Sequence, residues 1–396
     1  MQRKLLVLTY FDIFAIGGTE TFIRRLLKSL SKIGWNGVVV TNAHAGNYRA
    51  NHRIGNFDVR YVFPDETTAL PWPPQRLRTA TLFSAIRLWT RDMFRWILTL
   101  NIIFSRRIKI VYVPASSHSS LTLLPVFFPF WGLLRIFGTH VILGMRGPYF
   151  AFCSGSNLYD RLLRHIFYLE DITQQFLADK IVYVDPYLRD LYPRFLNKTL
   201  LIPNSVDTDM FHPEPESEAL NMVTYVGRLS PERGIWIFLE AVELIRNEKC
   251  SFQIVGLGEL EGRIRKYITE NELGIFMRKA EHDEMPLIYF RSTIIVNPAL
   301  LKGPWIGNIT LEAMACGKCV IKSGSSEDPI VKDGFNGFVC KVGDPVDLAN
   351  KIKLALKSRE QRMFLGQNAR RTILEKFGQQ VEADSYNNLF CSLLEN

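Results

Sequence analysis

The chain has 396 residues, which is more than one hydrophobic core usually accommodates, so two domains are expected. Its hydrophobic content of 47% and its charged content of 22% exclude a chain that is mostly disordered. The formal net charge of +9 favours an anionic partner, and nucleic acid, acidic lipid and phosphorylated small molecules all satisfy this condition.

Short apolar runs alternate with amphipathic helical runs in the first half, a pattern typical of parallel sheets covered by helices. Helical periodicity covers residues 20–34 and 158–178. The predicted strands are residues 4–11, 37–43, 59–64, 109–115, 140–145, 180–185 and 199–203. We therefore predict an N-terminal Rossmann-like domain over residues 1–203. No apolar stretch reaches about 18 residues and the first strand runs into a glycine turn, so we expect neither a spanning helix nor a signal peptide.

The same alternation restarts in the second half, with strands predicted at residues 222–227, 252–258, 294–299 and 319–323. Residues 203–220 separate the halves, because they are rich in Pro, Asp and Glu and lack an apolar period. We predict a second Rossmann-like domain over residues 204–375 and a C-terminal helix over residues 376–396 that packs back toward the first domain. The fold class is α/β, with two doubly wound domains facing across a cleft at the carboxyl ends of their strands.

A glycine pair, Gly17 and Gly18, lies between the first strand and the first helix. Glycine permits close backbone approach, and the amides at the start of the following helix suit an anion. An ordinary tight turn between a strand and a helix explains the pair equally well. The two glycines are therefore candidate anion-binding residues.

Two arginines, Arg228 and Arg233, follow a predicted strand in the segment YVGRLSPERG. Guanidinium groups stay charged and can each bond two phosphate oxygens, so a pair at a strand exit suits a diphosphate. Two solvated surface arginines are the alternative interpretation of this segment taken by itself.

A third candidate segment is GPWIGNITLEAMACGKCVI at residues 303–321. Here Gly307 and Asn308 are expected to form a turn and N-cap, so that the first helical amides, those of Asn308, Ile309 and Thr310, face the cleft. Glu312 follows within about the first helical turn. Its carboxylate either complements the helix dipole or accepts hydrogen bonds from two neighbouring hydroxyls, such as those of a ribose.

Six segments together resemble glycosyltransferase family 4, whose fold is GT-B, and they follow the family's order along nearly the whole chain. They are GGTE, IPNSVDTDMF, VGRLSPERG, IVGLGEL, TLEAMACGKCVI and DPIVKDGFNGFV. The resemblance implies that Arg228 and Arg233 hold the diphosphate of a nucleotide sugar and that Glu312 holds the ribose hydroxyls. It places Gly17 and Gly18 beside the diphosphate.

The resemblance also implies transfer of a hexosyl-type group from a nucleoside diphosphate sugar to a glycan or lipid-linked hydroxyl, with retention. Such a reaction belongs to the synthesis of cell-surface polysaccharide or glycolipid, and the N-terminal domain is expected to hold the acceptor. No metal and no other cofactor is expected, because guanidinium groups and helix amides take the charge-stabilising role. Asp207-Thr208-Asp209 has the DxD pattern of metal-binding transferases, but we interpret it as part of a strand-end motif.

Two departures from the family's pattern bear on activity. Pro304 stands where the family usually has the first glutamate of a Glu-x7-Glu motif ending at Glu312, and proline offers no side-chain hydrogen bond. Either the backbone near residues 305–308 contacts the sugar, or activity is lost. Arg146 stands where many members have a histidine near the acceptor, so it is a candidate catalytic and acceptor residue or a structural arginine. His118 is a second acceptor candidate, with a plain loop histidine as the alternative.

The pair Cys316 and Cys319 forms a CGKC motif that superficially resembles a redox pair. We favour a turn at Gly317 between a helix and a strand. A reducing, cytoplasmic setting fits this interpretation.

Residues 79–107 are basic and aromatic, with Arg87, Arg91 and Arg95 recurring every fourth position. Together with the apolar segment that ends near residue 137, they predict an interfacial surface for anionic lipid, at the inner face of the cell membrane. A helix pair that packs on the N-terminal sheet, with its arginines in solvent, is the alternative. Nucleic acid is not expected as a partner, since the basic residues match no recognised binding module.

Three rival functions remain at this stage. A catalytically weak family member that binds nucleotide sugar or supports a partner transferase is favoured by Pro304. A GT-B-shaped sugar-nucleotide epimerase requires acid and base residues that the sequence does not reveal. A dinucleotide-dependent oxidoreductase is disfavoured, because no G-x-G-x-x-G follows the first strand.

Overall fold

The computed structural model describes residues 3–9, 13, 18–44, 52–65, 82–114, 133–146, 158–214, 221–300, 307–325 and 327–395. The chain divides into two compact units. The first comprises Met1–Pro203 together with Glu382–Asn396, and the second comprises Asn204–Val381.

A sheet of eight strands, counted over the described residues, forms the centre of the first unit. The strands are β1 (Lys4–Leu8), β2 (Asn36–His44), β3 (Arg53–Ile54), β4 (Phe57–Asp65), β5 (Ile110–Val113), β6 (His140–Met145), β7 (Lys180–Tyr183) and β8 (Thr199–Leu201). Their order is β3-β4-β2-β1-β5-β6-β7-β8, and the neighbours pair in parallel except β3 and β4. β1, β5 and β7 are buried along most of their length, as expected for parallel strands covered on both faces.

Among the described residues of the first unit, four helices lie between these strands in the chain. They are α1 (Gly18–Lys32), α2 (Leu82–Arg106), α3 (Leu158–Leu177) and α4 (Pro186–Asp190). α1 contributes Phe22, Leu26 and Leu30 to one core cluster, and α2 contributes Trp96 and Ile103 to another. The repeat of three to four residues between these positions is the period of an amphipathic helix that covers a sheet.

The orientation of α2 corrects one prediction. The sequence predicts a polar stripe of Arg87, Arg91 and Arg95, but Arg95 is fully buried, so the prediction is wrong at this position. The described exposed face carries Phe94 and Ile97, which are 52% and 57% exposed. Because apolar residues occur on all sides of this helix, the sequence alone does not show which face is buried. The side chains of Arg87 and Arg91 lie outside the described part.

Of the helices in the described ranges, none has the length and apolarity needed to cross a bilayer.

The second unit contains a parallel sheet with six strands among the described residues. They are β9 (Met222–Val226), β10 (Ser251–Val255), β11 (Ile275–Arg278), β12 (Ile294–Asn297), β13 (Cys319–Ser323) and β14 (Phe338–Cys340). Their order is β11-β10-β9-β12-β13-β14, so the chain reverses its direction of winding between β9 and β12. Ligands of open α/β sheets bind at the carboxyl ends of the strands beside such a reversal.

Helices cover this sheet. Those among the described residues are α5 (Ile235–Leu244), α6 (Glu261–Glu270), α7 (Met285–Arg291), α8 (Asn308–Ala315), α9 (Pro345–Lys357) and α10 (Arg359–Lys376). Short 3₁₀ segments occur at Pro231–Arg233 and His282–Glu284. The turn between α8 and β13 contains Gly317 with φ of +68° and is flanked by buried Cys316 and Cys319, so the predicted helix-to-strand turn is confirmed.

The last helix, α11 (Gln379–Glu395), belongs to the first unit from Glu382 onward. Its Tyr386 hydroxyl lies 2.8 Å from that of Tyr112, and its Asn387 accepts a hydrogen bond of 2.9 Å from the Trp35 indole. Tyr112 lies in β5, and Trp35 is the residue before β2. The helix is therefore part of the core of the first unit.

Candidate functional site

The segment that carries Arg228 and Arg233 leaves the sheet at the carboxyl end of β9. Tyr225, the penultimate residue of that strand, donates its hydroxyl toward the carbonyls of Arg228 at 3.1 Å and Arg233 at 3.3 Å. Burial raises the pKa of Tyr225, so its hydroxyl remains a donor at neutral pH. One buried phenol thus fixes the backbone at both arginines.

The two arginines differ in exposure and influence each other. Arg228 is exposed and Arg233 is half-buried. Burial lowers the pKa of Arg233, the positive charge of Arg228 lowers it further, and Glu232 acts in the opposite direction. Guanidinium groups remain protonated despite such effects. The segment therefore holds two positive charges near each other, and that of Arg233 is partly removed from water. An anion that lies between them relieves this repulsion.

A glycine allows the arginine segment to approach the chain that follows β12. Gly234 has φ of +70°, and a Cβ added there would lie 1.8 Å from the carbonyl oxygen of Pro298. In the same contact the amide of Leu300 donates to the carbonyl of Glu232 at 2.9 Å. The loop after β9 and the loop after β12 are therefore packed backbone to backbone.

The neighbouring loop after β10 explains the glycines of the IVGLGEL segment. A Cβ at Gly256 would lie 1.8 Å from the carbonyl oxygen of Gly227, and the Leu229 amide donates to Leu257 O at 2.8 Å. The loops after β10 and β12 thus both pack against the backbone of the segment that carries the arginines.

Helix α8 begins at the carboxyl edge of the same sheet. Its N-cap is Gly307, which has no side chain to bond the first amides, and Asn308 is an exposed first helical residue rather than the cap. The amide of Thr310 donates to Gly307 O at 3.1 Å, and its buried hydroxyl accepts from the Asn297 amide at 3.0 Å. Thr310 therefore ties α8 to β12. Asn308 and Ile309 are the first two residues of the helix, so their amides have no acceptor within it.

Glu312 lies in the second turn of α8 and is half-buried. Its Oε2 accepts a hydrogen bond of 2.7 Å from the hydroxyl of Tyr289, which is fully buried on α7. Burial raises the pKa of Tyr289 well above its ordinary value, and the nearby Glu312 raises it further. The tyrosine remains a donor and holds the carboxylate in one orientation, a role that the sequence did not reveal.

A buried ion pair at the end of β13 was also missed. Lys322 and Asp328 form this pair, and Asp328 Oδ1 also accepts the amides of Ile330 at 3.0 Å and Val331 at 2.9 Å. A lysine inside the buried strand CVIKS was the signal available in the sequence. The pair fixes the loop after β13 at the same edge as the other candidate residues.

Arg146 belongs to the first unit, where it follows β6. Its Nε donates to Pro114 O at 3.2 Å, and its guanidinium carbon lies 3.2 Å from the centroid of the Phe22 ring. A cation over an aromatic face is a stabilising contact, so the structural interpretation of Arg146 has a definite basis. Gly18 is the first residue of α1. Gly17, His118 and Pro304 lie outside the described residues.

The DxD triplet has structural partners. Asp207 Oδ1 accepts the amides of Asp209 at 3.1 Å and Met210 at 3.0 Å, and Asp209 Oδ2 accepts from Gln379 at 3.0 Å. Over the ranges that the structure describes, no three His, Cys, Asp or Glu side chains are grouped as metal ligands. Independence of a metal stays a prediction.

The predicted residues of the second unit therefore lie at one edge of its sheet. Arg228, Arg233 and Glu312 all follow strands at the carboxyl edge of one sheet, and the loop contacts at Gly234 and Asn297 link them. Arg146 and Gly18 are part of the other unit.

A family model described as glycosyl transferases group 1 matches residues 207–372. An uncharacterised glycosyltransferase of Methanocaldococcus jannaschii is 29% identical over 199 residues, which are 49% of this chain and 54% of the relative. The O-antigen chain mannosyltransferase C of Escherichia coli is 25% identical over 216 residues, 51% of this chain and 57% of that protein. The chain thus spans about half the length of the curated relatives it matches. The predicted resemblance to glycosyltransferases is confirmed, and the family match covers the part of it that lies within residues 207–372.

Two solved structures are similar over nearly the whole chain. A sucrose-phosphate synthase from Thermosynechococcus elongatus has a TM-score of 0.77 at 18% identity and covers 99% of this chain and 100% of its own. The Anabaena protein HepE, solved with UDP and glucose, has a TM-score of 0.69 at 14% identity and covers 98% of this chain and 99% of its own. Both are GT-B glycosyltransferases, so the predicted α/β fold of GT-B type is confirmed.

Proposed function

We propose that this chain, whose residues 207–372 match the family model of glycosyl transferases group 1, transfers a sugar from a nucleoside diphosphate sugar to a hydroxyl of a glycan or lipid-linked acceptor. Retention of the anomeric configuration and independence of a metal are parts of the proposal. The UDP and glucose in HepE support the donor class, and the O-antigen relative supports a role in polysaccharide or glycolipid synthesis.

The observation that carries the proposal is the arginine pair at the carboxyl end of β9. Two guanidinium groups on a backbone segment that one buried tyrosine fixes match two adjacent phosphates, since each can bond two oxygens. When the sugar leaves, negative charge develops on the diphosphate, and fixed cations stabilise that charge without rearranging.

Glu312 is proposed to hold the ribose of the donor. A carboxylate can accept hydrogen bonds from two neighbouring hydroxyls, and the bond from Tyr289 fixes its orientation beforehand. The amides of Asn308 and Ile309, at the start of the same helix, supply further donors for the phosphates.

In the proposed reaction the bond between the anomeric carbon and the diphosphate oxygen breaks, and both electrons stay with the diphosphate. The acceptor oxygen bonds to the anomeric carbon on the same face, and its proton leaves with the departing nucleoside diphosphate.

We propose that the acceptor binds to the first unit and that Arg146 is one of its contacts. We also propose a location at the inner face of the cell membrane, where lipid-linked acceptors are presented.

A thermal-shift panel of nucleoside diphosphate sugars, followed by assays of donor hydrolysis and transfer, tests the proposal. At least one donor is expected to raise the melting temperature by mass action and to be consumed. Arg228→Ala is expected to lose the shift, whereas Arg246→Ala, an exposed arginine of the same unit, is expected to retain it. A shift in melting temperature without donor hydrolysis or transfer contradicts the proposed enzymatic activity. It favours the alternative of a protein that only binds nucleotide sugar.

A further inference from the structure

A pocket lies at the edge of the second unit's sheet opposite to the proposed donor site. Its volume is about 780 Å³, and it is lined by residues that precede three neighbouring strands, among them Asn221, Thr293 and Lys318, and by α10 from Arg359 to Arg370. These residues are at the amino ends of β9, β12 and β13, whereas Arg228 follows the carboxyl end of β9. At about 3.3 Å per residue, the five residues of β9 separate the two edges by roughly 15 Å. A ligand in this pocket is therefore remote from the proposed donor.

The part of this lining that the structure describes is strongly basic. Lys318, Arg359, Arg362 and Arg370 contribute four positive charges, and Glu214 is the carboxylate among the described lining residues. Phe290, Pro213 and Met363 add apolar surface. Cations beside apolar side chains suit an organic molecule that carries a phosphate group better than they suit a free ion.

Backbone carbonyls hold two of these arginines in place. Arg370 donates to Phe211 O at 2.7 Å and Ala315 O at 2.9 Å, and Arg362 donates to Ala355 O at 2.8 Å. Carbonyl oxygens carry only partial charge, so these bonds orient the guanidinium groups without neutralising them. Burial lowers the pKa of Arg370, which reflects a charge that has lost part of its hydration.

Helix α10 adds to the positive potential of the pocket. It is 18 residues long, and its first turns contribute Arg359, Arg362 and Met363 to the lining. Ser358 caps it by accepting the Gln361 amide at 3.1 Å. The amino end of a helix carries a partial positive charge, which favours phosphate beside it.

The floor of the pocket is fixed by a close contact between two glycines. A Cβ at Gly366 of α10 would lie 2.0 Å from the carbonyl oxygen of Gly317. Gly317 has φ of +68° in the turn before β13. The helix that carries the arginines thus packs directly against the turn that carries Lys318, and the cations hold a defined spacing.

We propose that this pocket binds a phosphorylated small molecule of the size of a sugar phosphate, with Arg359 and Arg362 at the amino end of α10 facing its phosphate and with Arg370 and Lys318 lining the rest of the pocket. Planar guanidinium groups bond phosphate oxygens in pairs, and the pocket volume lies within the range of small-molecule sites. The site is separate from the nucleotide sugar and does not depend on the proposed transfer reaction.

Isothermal titration calorimetry of the full chain with glucose 6-phosphate, and separately with inorganic phosphate, tests the proposal. Glucose 6-phosphate is expected to bind wild type more tightly than inorganic phosphate, and to bind Arg359→Gln/Arg362→Gln at least about tenfold more weakly. Arg371→Gln, which removes an exposed charge from the same helix outside the lining, is the matched control and is expected to bind as wild type does.

Two further variants keep the result independent of folding and of the donor site. Glu214→Gln removes the lining carboxylate at an exposed position and is expected to tighten binding several-fold, since a like charge near the phosphate is lost. Arg228→Ala is expected to bind glucose 6-phosphate unchanged. The proposal is overturned if wild type does not bind the probe at millimolar concentration, if Arg228→Ala abolishes binding, or if Glu214→Gln fails to tighten it.

Discussion

The hydroxyl of Tyr289 donates a 2.7 Å hydrogen bond to the carboxylate of Glu312, and so joins a fully buried side chain of α7 to the second turn of α8. The two residues are 23 positions apart in the chain. Without this bond the carboxylate of a half-buried glutamate can rotate between several staggered orientations. The contact therefore holds the Glu312 carboxylate in one orientation, as its proposed role of accepting hydrogen bonds from ribose hydroxyls requires.

Glu312→Gln is expected to weaken binding of a ribonucleoside diphosphate by roughly tenfold or more, because a hydrogen bond to a charged group contributes about 1.5–3 kcal/mol. Tyr289→Phe is expected to have a smaller effect in the same direction, since the carboxylate remains but loses its fixed orientation. The measurement is the Kd for matched ribo- and 2′,3′-dideoxynucleoside diphosphates. An equal loss for both ligands in Glu312→Gln contradicts a ribose contact.

Gly234→Ala is expected to destabilise the second unit and to weaken donor binding together. The added Cβ meets the carbonyl of Pro298, and φ of +70° is unfavourable for alanine, so the free energy of unfolding is expected to fall by about 1–3 kcal/mol. Gly262→Ala is the matched control, because this glycine lies within α6 and a Cβ there meets no atom within 4 Å. Urea unfolding is expected to show Gly262→Ala stabilised by about 0.5–1 kcal/mol. Equal effects of the two variants contradict the backbone packing at Gly234.

The thiols of Cys316 and Cys319 are expected to be unreactive in the native protein, because burial raises the pKa of each to about 12. Iodoacetamide at pH 8, followed by peptide mass spectrometry, is expected to label half-buried Cys391 first and these two only after unfolding. The unfolded thiols ionise near their ordinary pKa of 9 while the folded ones stay neutral, so stability is expected to fall as pH rises from about 9 toward 12. Fast labelling of the CGKC motif, or a disulfide within it, favours a redox role.

The alternation of apolar strands and helices was sufficient to predict the strands that carry the site. Buried parallel strands appear in the sequence as continuous apolar runs, and residues such as Arg228 stand directly after such a run. Short strands at the sheet edges, such as β3, β11 and β14, were missed because they have only two to four residues, which is too few to show a period. The partners Tyr289 and Asp328 were missed because their roles depend on contacts between elements, which local patterns do not contain.

Binding to anionic vesicles, which the basic and aromatic segment predicts, is expected to depend on the exposed apolar face of α2 rather than on Arg95. Phe94→Ser/Ile97→Ser is expected to reduce co-sedimentation with anionic vesicles, since burial of apolar surface contributes about 25 cal/mol per Å². Phe176→Ser, at an exposed phenylalanine of α3, is the control. Arg95→Glu is expected to lower stability, because it places a carboxylate in a buried position. Loss of vesicle binding in Phe176→Ser but not in the double variant argues against this face.

The most direct test of the donor site is the preference of the protein for a nucleoside diphosphate over the matching monophosphate, measured as a ratio of Kd values. Wild type is expected to prefer the diphosphate by at least about tenfold, since the second phosphate gains charged hydrogen bonds. In Arg228→Ala/Arg233→Ala the two ligands are expected to bind with nearly equal affinity, while Arg246→Ala keeps the wild-type ratio. A wild-type ratio in the double variant would show that the two arginines do not hold the diphosphate.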